Sequence, residues 1–256
     1  MTAPLARTIS SVVAVLMTAA CSSYYEIPIE TPIRPKLDVS GFQRVLVAGF
    51  ISGGTEDVDG NLETTRLLRS QLRTRSEMRV IDTDVLPLME VASEGLDVPE
   101  TTPEAAETGE PGVIREEQDL EPYEHIFADV EYWKRIGEEH QQPLIVTGTV
   151  MFAPQARSGI VQRDQEVYDS FGRRRVVPVR TYMERKGFVL RPRFIFIDGR
   201  TGAVLHSENF REEILYNANQ TSPALSSYFE LMDRLIPSFL STLSSQSIRG
   251  TRVLLQ

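Results

Sequence analysis

One cysteine, Cys21, is all the thiol in 256 residues, so no intramolecular disulfide can form and a core must hold the fold unaided. The three histidines, His125, His140 and His206, lie far apart, and none belongs to an HExxH or a cysteine-partnered cluster. GxGxxG, GK[ST] and GxSxG are all missing, which removes the usual phosphate cradles and the nucleophile elbow. Two near-motifs also fall short. In "DVDGNLE" Gly60 is the fourth residue from Asp57, not the sixth, and Leu68 stands where a calcium loop needs its bidentate glutamate. In "SGGTEDVDG" the acids Glu56, Asp57 and Asp59 would repel a phosphate. Basic charge is scarce too: 27 lysines and arginines against 36 acids argue against nucleic acid as a partner. No metal, cofactor or catalytic residue is expected.

What is present begins at the N-terminus. The apolar run from Ile9 to Ala20 has 12 residues, short of the ~20 that a helix needs to cross a bilayer. Arg7 precedes it and Thr18, Ala19 and Ala20 close it, the layout of a secretory signal peptide over residues 1–20. The segment "LMTAAC" resembles the lipobox of bacterial lipoproteins, in which cleavage leaves the cysteine to carry lipid. It departs from that pattern at Thr18, where leucine is usual, with Leu16 two places further back. The resemblance makes Cys21 the lipidation site, an anchor in membrane lipid rather than a catalyst. The alternative is an ordinary cut after Ala20 that leaves a free thiol. Ser22 is not the aspartate that retains lipoproteins in the inner membrane, so the expected place is the periplasmic face of the outer membrane.

After cleavage about 235 residues remain, with 26 basic and 36 acidic side chains, a net of −10. That charge is uneven. Between Glu90 and Glu131 there are 14 acids and only Arg115 as a base. The stretch at about 93–122 mixes Pro, Gly, Thr and Glu with few large apolar residues, so it reads as a disordered acidic loop, or as an acidic docking tail. Residues 173–193 are the reverse, +7 net, with Arg173, Arg174, Arg175, Arg180, Arg185 and Lys186 as the candidate binding strip. Such a strip suits an acidic chain, lipid phosphates, an anionic glycan or a solvated hairpin face. Residues 21–41 contain Pro28, Pro32 and Pro35 and read as an extended tether. The other reading of this segment lays Ile27, Ile29 and Ile33 along a sheet edge.

The domain is expected over 42–256. "RVLVAGF" (44–50) is a buried strand, Asn61 is expected to cap a helix with Leu62, Leu68 and Leu72 inward and Arg66, Arg69 and Arg73 outward, and "MRVID" (78–82) is a second strand. A helix with Phe127, Val130, Trp133 and Ile136 on one face leads to the apolar strand "PLIVTGTVMF" (143–152). A hairpin insertion follows at about 153–186, turning at Gly172. "FVLRPRFIFID" then meets "AVLHSENFREEI" across "DGRTG". A helix from Pro223 to Ser244, with Pro237 as a kink, precedes a last strand, "RVLL". The fold class is α/β: a mixed sheet, β-α-β-α-β and then antiparallel hairpins, flanked by helices.

This order, carried by "RVLVAGF" and its polar loop, the helix at Asn61, "MRVID" and "PLIVTGTV" after a helix, resembles the α/β domain shared by the TolB amino-terminal domain, the curli secretion channel lipoprotein and activators of penicillin-binding proteins. The resemblance implies either a non-catalytic adapter that binds an unidentified envelope protein or a multimeric secretion pore. An unrecognised hydrolase is the remaining class, and self-association is left open. A spanning hairpin needs ~10-residue strands with an apolar lipid face, and "QRDQE" and "RRR" put charge there at about 2–4 kcal/mol for each Arg at the midplane. The adapter is therefore the expectation.

Overall fold

The computed structural model describes residues 24–94, 114–217, 220 and 222–255. These fall into two compact units, 36–243 and a small unit formed by both ends of the chain. In the small unit β1 (Tyr24–Ile33) pairs antiparallel along its whole length with β8 (Gln246–Leu255). The tether expected over 21–41 is corrected for residues 24–33, where the sheet-edge alternative is the one observed. Pro28 and Pro32 are compatible with it because a two-stranded ribbon consists only of edges, where a missing N–H need not break a ladder. The domain boundary moves accordingly, since residues 244–255 belong with β1 and not with the α/β unit.

The larger unit is an α/β fold with one mixed sheet in the order β3-β2-β4-β5-β6. β2 (Arg44–Gly54) lies parallel to β3 (Arg79–Val80) and to β4 (Leu144–Tyr168). β5 (Arg174–Asp198) runs antiparallel to β4, and its far edge takes β6 (Val204–Asn209) and then β7 (Glu212–Asn217) end to end. One sheet face packs on α1 (Gly60–Arg75) and α4 (Ala224–Leu243). The other packs on α2 (Leu88–Ser93), a 3₁₀ segment (Glu117–Ala128) and α3 (Val130–Glu139).

Cover on both faces explains why 45–51 is apolar at every position that carries a side chain. Val45 and Val47 join the α1/α4 core and Leu46 and Ala48 the opposite one, yet Phe50 joins the first and Ile51 the second. The parity changes at a bulge between Val47 and Gly49. Gly49 sits there at φ 145°, and a Cβ on it would lie 2.8 Å from the Leu86 carbonyl oxygen. Only glycine fits.

Several local expectations are corrected. Asp59, not Asn61, caps α1 by accepting from Leu62 N–H at 2.9 Å, while the Asn61 side chain accepts from Phe50 N–H at 2.7 Å. Arg69 points inward, only 9% exposed, and donates to the carbonyls of Val47 (2.8 Å) and Thr83 (2.6 Å). Phe127 belongs to the 3₁₀ segment, because Asp129 caps a fresh helix and resets the period; Val130 is then 45% exposed, while Trp133 and Ile136 are buried. The acidic loop expected at 93–122 lies outside the described residues over 95–113. Its end is packed: Ile114 and Leu120 are buried, each burial contributing about 1.5–3 kcal/mol. Asp119 turns that end by accepting from the N–H groups of Glu116 (2.8 Å) and Arg115 (2.9 Å), which hold its carboxyl below the usual range. Composition averaged over the loop hid these two anchors.

Candidate functional site

The expected insertion at 153–186 is no separate hairpin. β4 and β5 are 25 residues each, and their single unbroken register runs from Leu144 opposite Asp198 out to Tyr168 opposite Arg174. Their inner ends are the centre of the sheet. β2 leaves the edge of β4 at Phe152 and β7 leaves that of β5 at Arg185, so from Ser158–Glu184 outward the ribbon has two strands only. Eleven rungs remain, a reach of roughly 34 Å at ~3.4 Å per residue. A two-stranded ribbon in water is marginal by itself and leaves both backbone edges open.

The tip is an Asx-anchored turn. Asp169 accepts from the N–H groups of Phe171 and Arg173, both at 2.9 Å, and from Arg173 Nε at 3.0 Å, with Gly172 at φ 73°. The Arg173 N–H above all holds the Asp169 carboxyl below the usual carboxylate range. Phe171 is 81% exposed beneath the Arg173 guanidinium, 5.4 Å from its ring centre.

Residues opposite each other across an antiparallel pair share a face, so the register sorts every side chain of the ribbon. One face continues the α1/α4 side of the sheet. It carries Glu184, Ile160, Tyr182, Arg180, Asp164, Glu166, Val176 and Arg174, so both signs of charge are present, and two pairs form: Arg174 with Glu166, and Lys186 with Glu184 at 3.1 Å. The other face carries Arg157 opposite Arg185, then Met183, Val161, Arg163, Val179, Val177, Val167 and Arg175. It holds no carboxylate from Arg157 outward. Glu213 at the base answers Arg157 at 2.9 Å, and Arg185 directly opposite is a like charge, an unfavourable rung.

The candidate strip is thus divided. Arg174, Arg180 and Lys186 lie on the balanced face, Arg175 and Arg185 on the cationic one, and Arg173 in the turn. Arg157 and Arg163, which complete the cationic face, come from β4 and were missed, because clustering along the chain was sought rather than alternation across two strands. Cys21 lies outside the described residues.

Elsewhere the three histidines keep separate surroundings. His125 contacts the Pro122 carbonyl at 2.8 Å, His140 ends α3 and His206 neighbours Glu208 at 3.4 Å. They remain apart, and among the described residues no three potential ligands converge on a metal position. A cleft of about 460 Å³ is lined by Glu117, Glu124, Arg191, Arg193 and Arg211. Its charges largely pair within it, Arg193 with Glu124 at 2.8 Å and Arg191 with Glu117 at 3.6 Å, although Arg191 Nε is buried without a partner. In the opposite core, Tyr228 reaches Thr64 Oγ1 and donates to the Gly60 carbonyl at 3.3 Å. Burial pushes its phenol far above the ordinary value, so it stays protonated and structural. No described helix is long and apolar enough to cross a membrane.

No protein-family model matches the chain, and no curated protein matches it. Among solved structures it is similar to the lipoprotein GNA1162 from Neisseria meningitidis, at 11% identity and a TM-score of 0.34, covering 77% of this chain and 97% of that one. It is also similar to a neuraminyllactose-binding hemagglutinin homolog from Helicobacter pylori, at 11% identity and a TM-score of 0.33, covering 84% of this chain and 90% of that one.

Proposed function

We propose that the chain is a non-catalytic, lipid-anchored adapter on the periplasmic face of the outer membrane, which holds another envelope protein with its ribbon. The observation that carries this reading is the ribbon itself. Eleven two-stranded rungs stand beyond the body, with open edges and exposed apolar side chains such as Ile160 (72%) and Phe171. Nothing in the fold needs them, and exposed apolar and edge groups of this kind serve contacts. The "LMTAAC" segment supports lipid attachment at Cys21.

The pore reading meets a physical obstacle in the register. A strand pair lining a barrel needs one uncharged face toward lipid. Here one face has Asp164, Glu166 and Arg180, and the other Arg163 and Arg175. The hydrolase reading finds no nucleophile, base and orienting group within reach of one another among the residues described above.

The test places a photo-crosslinking residue at Tyr182, on the balanced face, in living cells. An adduct with one envelope protein supports the adapter, an adduct with a second copy supports self-association, and no adduct at Tyr182, Ile160 or Phe171 overturns the reading. For the anchor, Cys21→Ala is expected to move the protein from the membrane fraction to the soluble periplasm or to block processing. A protein still cleaved and membrane-bound would refute lipidation.

A further inference from the structure

The outer part of the cationic face has a composition that the adapter reading leaves unused. Over the rungs from Val161 to Val167 it presents four valines, Val161, Val167, Val177 and Val179, and two arginines, Arg163 and Arg175, with no carboxylate. Neither arginine has an ion-pair partner among the described residues. Asp164 and Glu166 sit on the intervening rungs and so lie on the opposite face. The segregation is therefore a property of the register and not of overall composition.

We propose that this patch docks on an anionic phospholipid surface, the valines at the boundary of the acyl chains and the two guanidinium groups on headgroup phosphates. Charge complementarity selects the occupant. Arginine binds phosphate oxygens through its planar fork and keeps its charge in any environment. Its stem lies along apolar surface while the head reaches for phosphate. An acidic protein would have to offer carboxylates at one fixed spacing, whereas a fluid anionic surface supplies phosphates at whatever spacing the arginines have. The tip adds to this: Phe171, exposed in the turn, is an aromatic of the kind that settles at a headgroup layer. The balanced face, with Ile160 and Tyr182, is left free for a protein. The proposal rests on the adapter reading only in placing the chain at a membrane.

The neighbours Val176 and Val177 lie on opposite faces, which makes a sensitive test. In the full chain carrying Cys21→Ser, so that one thiol is available, Val177→Cys and Val176→Cys are each labelled with a polarity-sensitive fluorophore. Vesicles of phosphatidylcholine with about 30% phosphatidylglycerol are added at low salt. The label at 177 is expected to brighten and shift to the blue, while the label at 176 stays aqueous. Arg163→Glu with Arg175→Glu should weaken vesicle binding at least 30-fold, from about 1 kcal/mol for each arginine near an anionic surface. Circular dichroism verifies that this variant remains folded. An equal response at 176 and 177, an equal response to pure phosphatidylcholine, or a response at 177 that appears only with envelope proteins overturns the proposal. The last outcome would assign the face to an acidic protein and leave the crosslinking test of the adapter standing.

Discussion

Deleting the ribbon should cost the fold nothing. Replacing Ser158–Glu184, 27 residues, by Asn-Gly closes β4 onto β5 through a two-residue turn at the Arg157–Arg185 rung. No side chain between 157 and 186 is among the buried core, so no transfer free energy is lost. The connection becomes more than tenfold shorter, nearly four halvings at about 0.6 kcal/mol each, which favours the fold by about 2 kcal/mol. The pairing lost with the ribbon is close to neutral, as isolated two-stranded hairpins are. A domain of this size moves its melting temperature by about 2–4 °C for each kcal/mol. The shortened protein is therefore expected to melt between the wild-type temperature and roughly 8 °C above it by scanning calorimetry, while no longer co-purifying with the protein that crosslinks at Tyr182 in the full chain. A fall of more than about 4 °C would refute the reasoning, because it would mean that the ribbon packs on the body.

Other expectations concern the parts that hold the fold. Tyr228→Phe removes a buried hydroxyl but leaves Thr64 donating to the Gly60 carbonyl at 2.6 Å, so urea unfolding should show a loss of about 1–1.5 kcal/mol. Arg69→Met strands the carbonyls of Val47 and Thr83 and should cost about 2–4 kcal/mol in the same assay, with no effect on crosslinking. At the tip, the folded carboxyl of Asp169 is held below its unfolded value, so its contribution is complete above the ordinary aspartate range near pH 4 and is lost as pH falls through the lower folded value. The protection factor of the Arg173 amide, its exchange relative to unstructured chain at the same pH, should hold from pH 7 to about 4 and fall below; a protection factor that already falls at pH 6 would exclude Asp169 as the cause.

The sheet was legible because burial on both faces writes continuous apolar runs, as in 44–50 and 143–152. The α/β class, the antiparallel pairs and the C-terminal helix followed from those runs and from turn residues such as "DGRTG". The ribbon's chemistry was not legible in the same way. A count over 173–193 sees eight bases, but which of them act together depends on partners some 20 residues upstream, through a register that no local pattern states. Arg69 was misplaced for a related reason: its helical position said outward, while two backbone carbonyls, Val47 within β2 and Thr83 beyond β3, drew it in. Proline content likewise suggested a tether over 24–33, since composition does not reveal that residues 246–255 supply a partner strand.

Because β4 and β5 pass from the core into the ribbon in one unbroken register, the arm has no hinge where it leaves the body. A pull on the tip along the ribbon's length would load the β2–β4 ladder and the β6 and β7 ladders in shear, many hydrogen bonds at once. A sideways pull would instead bend the ribbon, whose outer rungs have no neighbouring strand to brace them. The protein is thus stiff along one axis and compliant across it, and tension from whatever the tip grips arrives undiminished at the middle of the sheet.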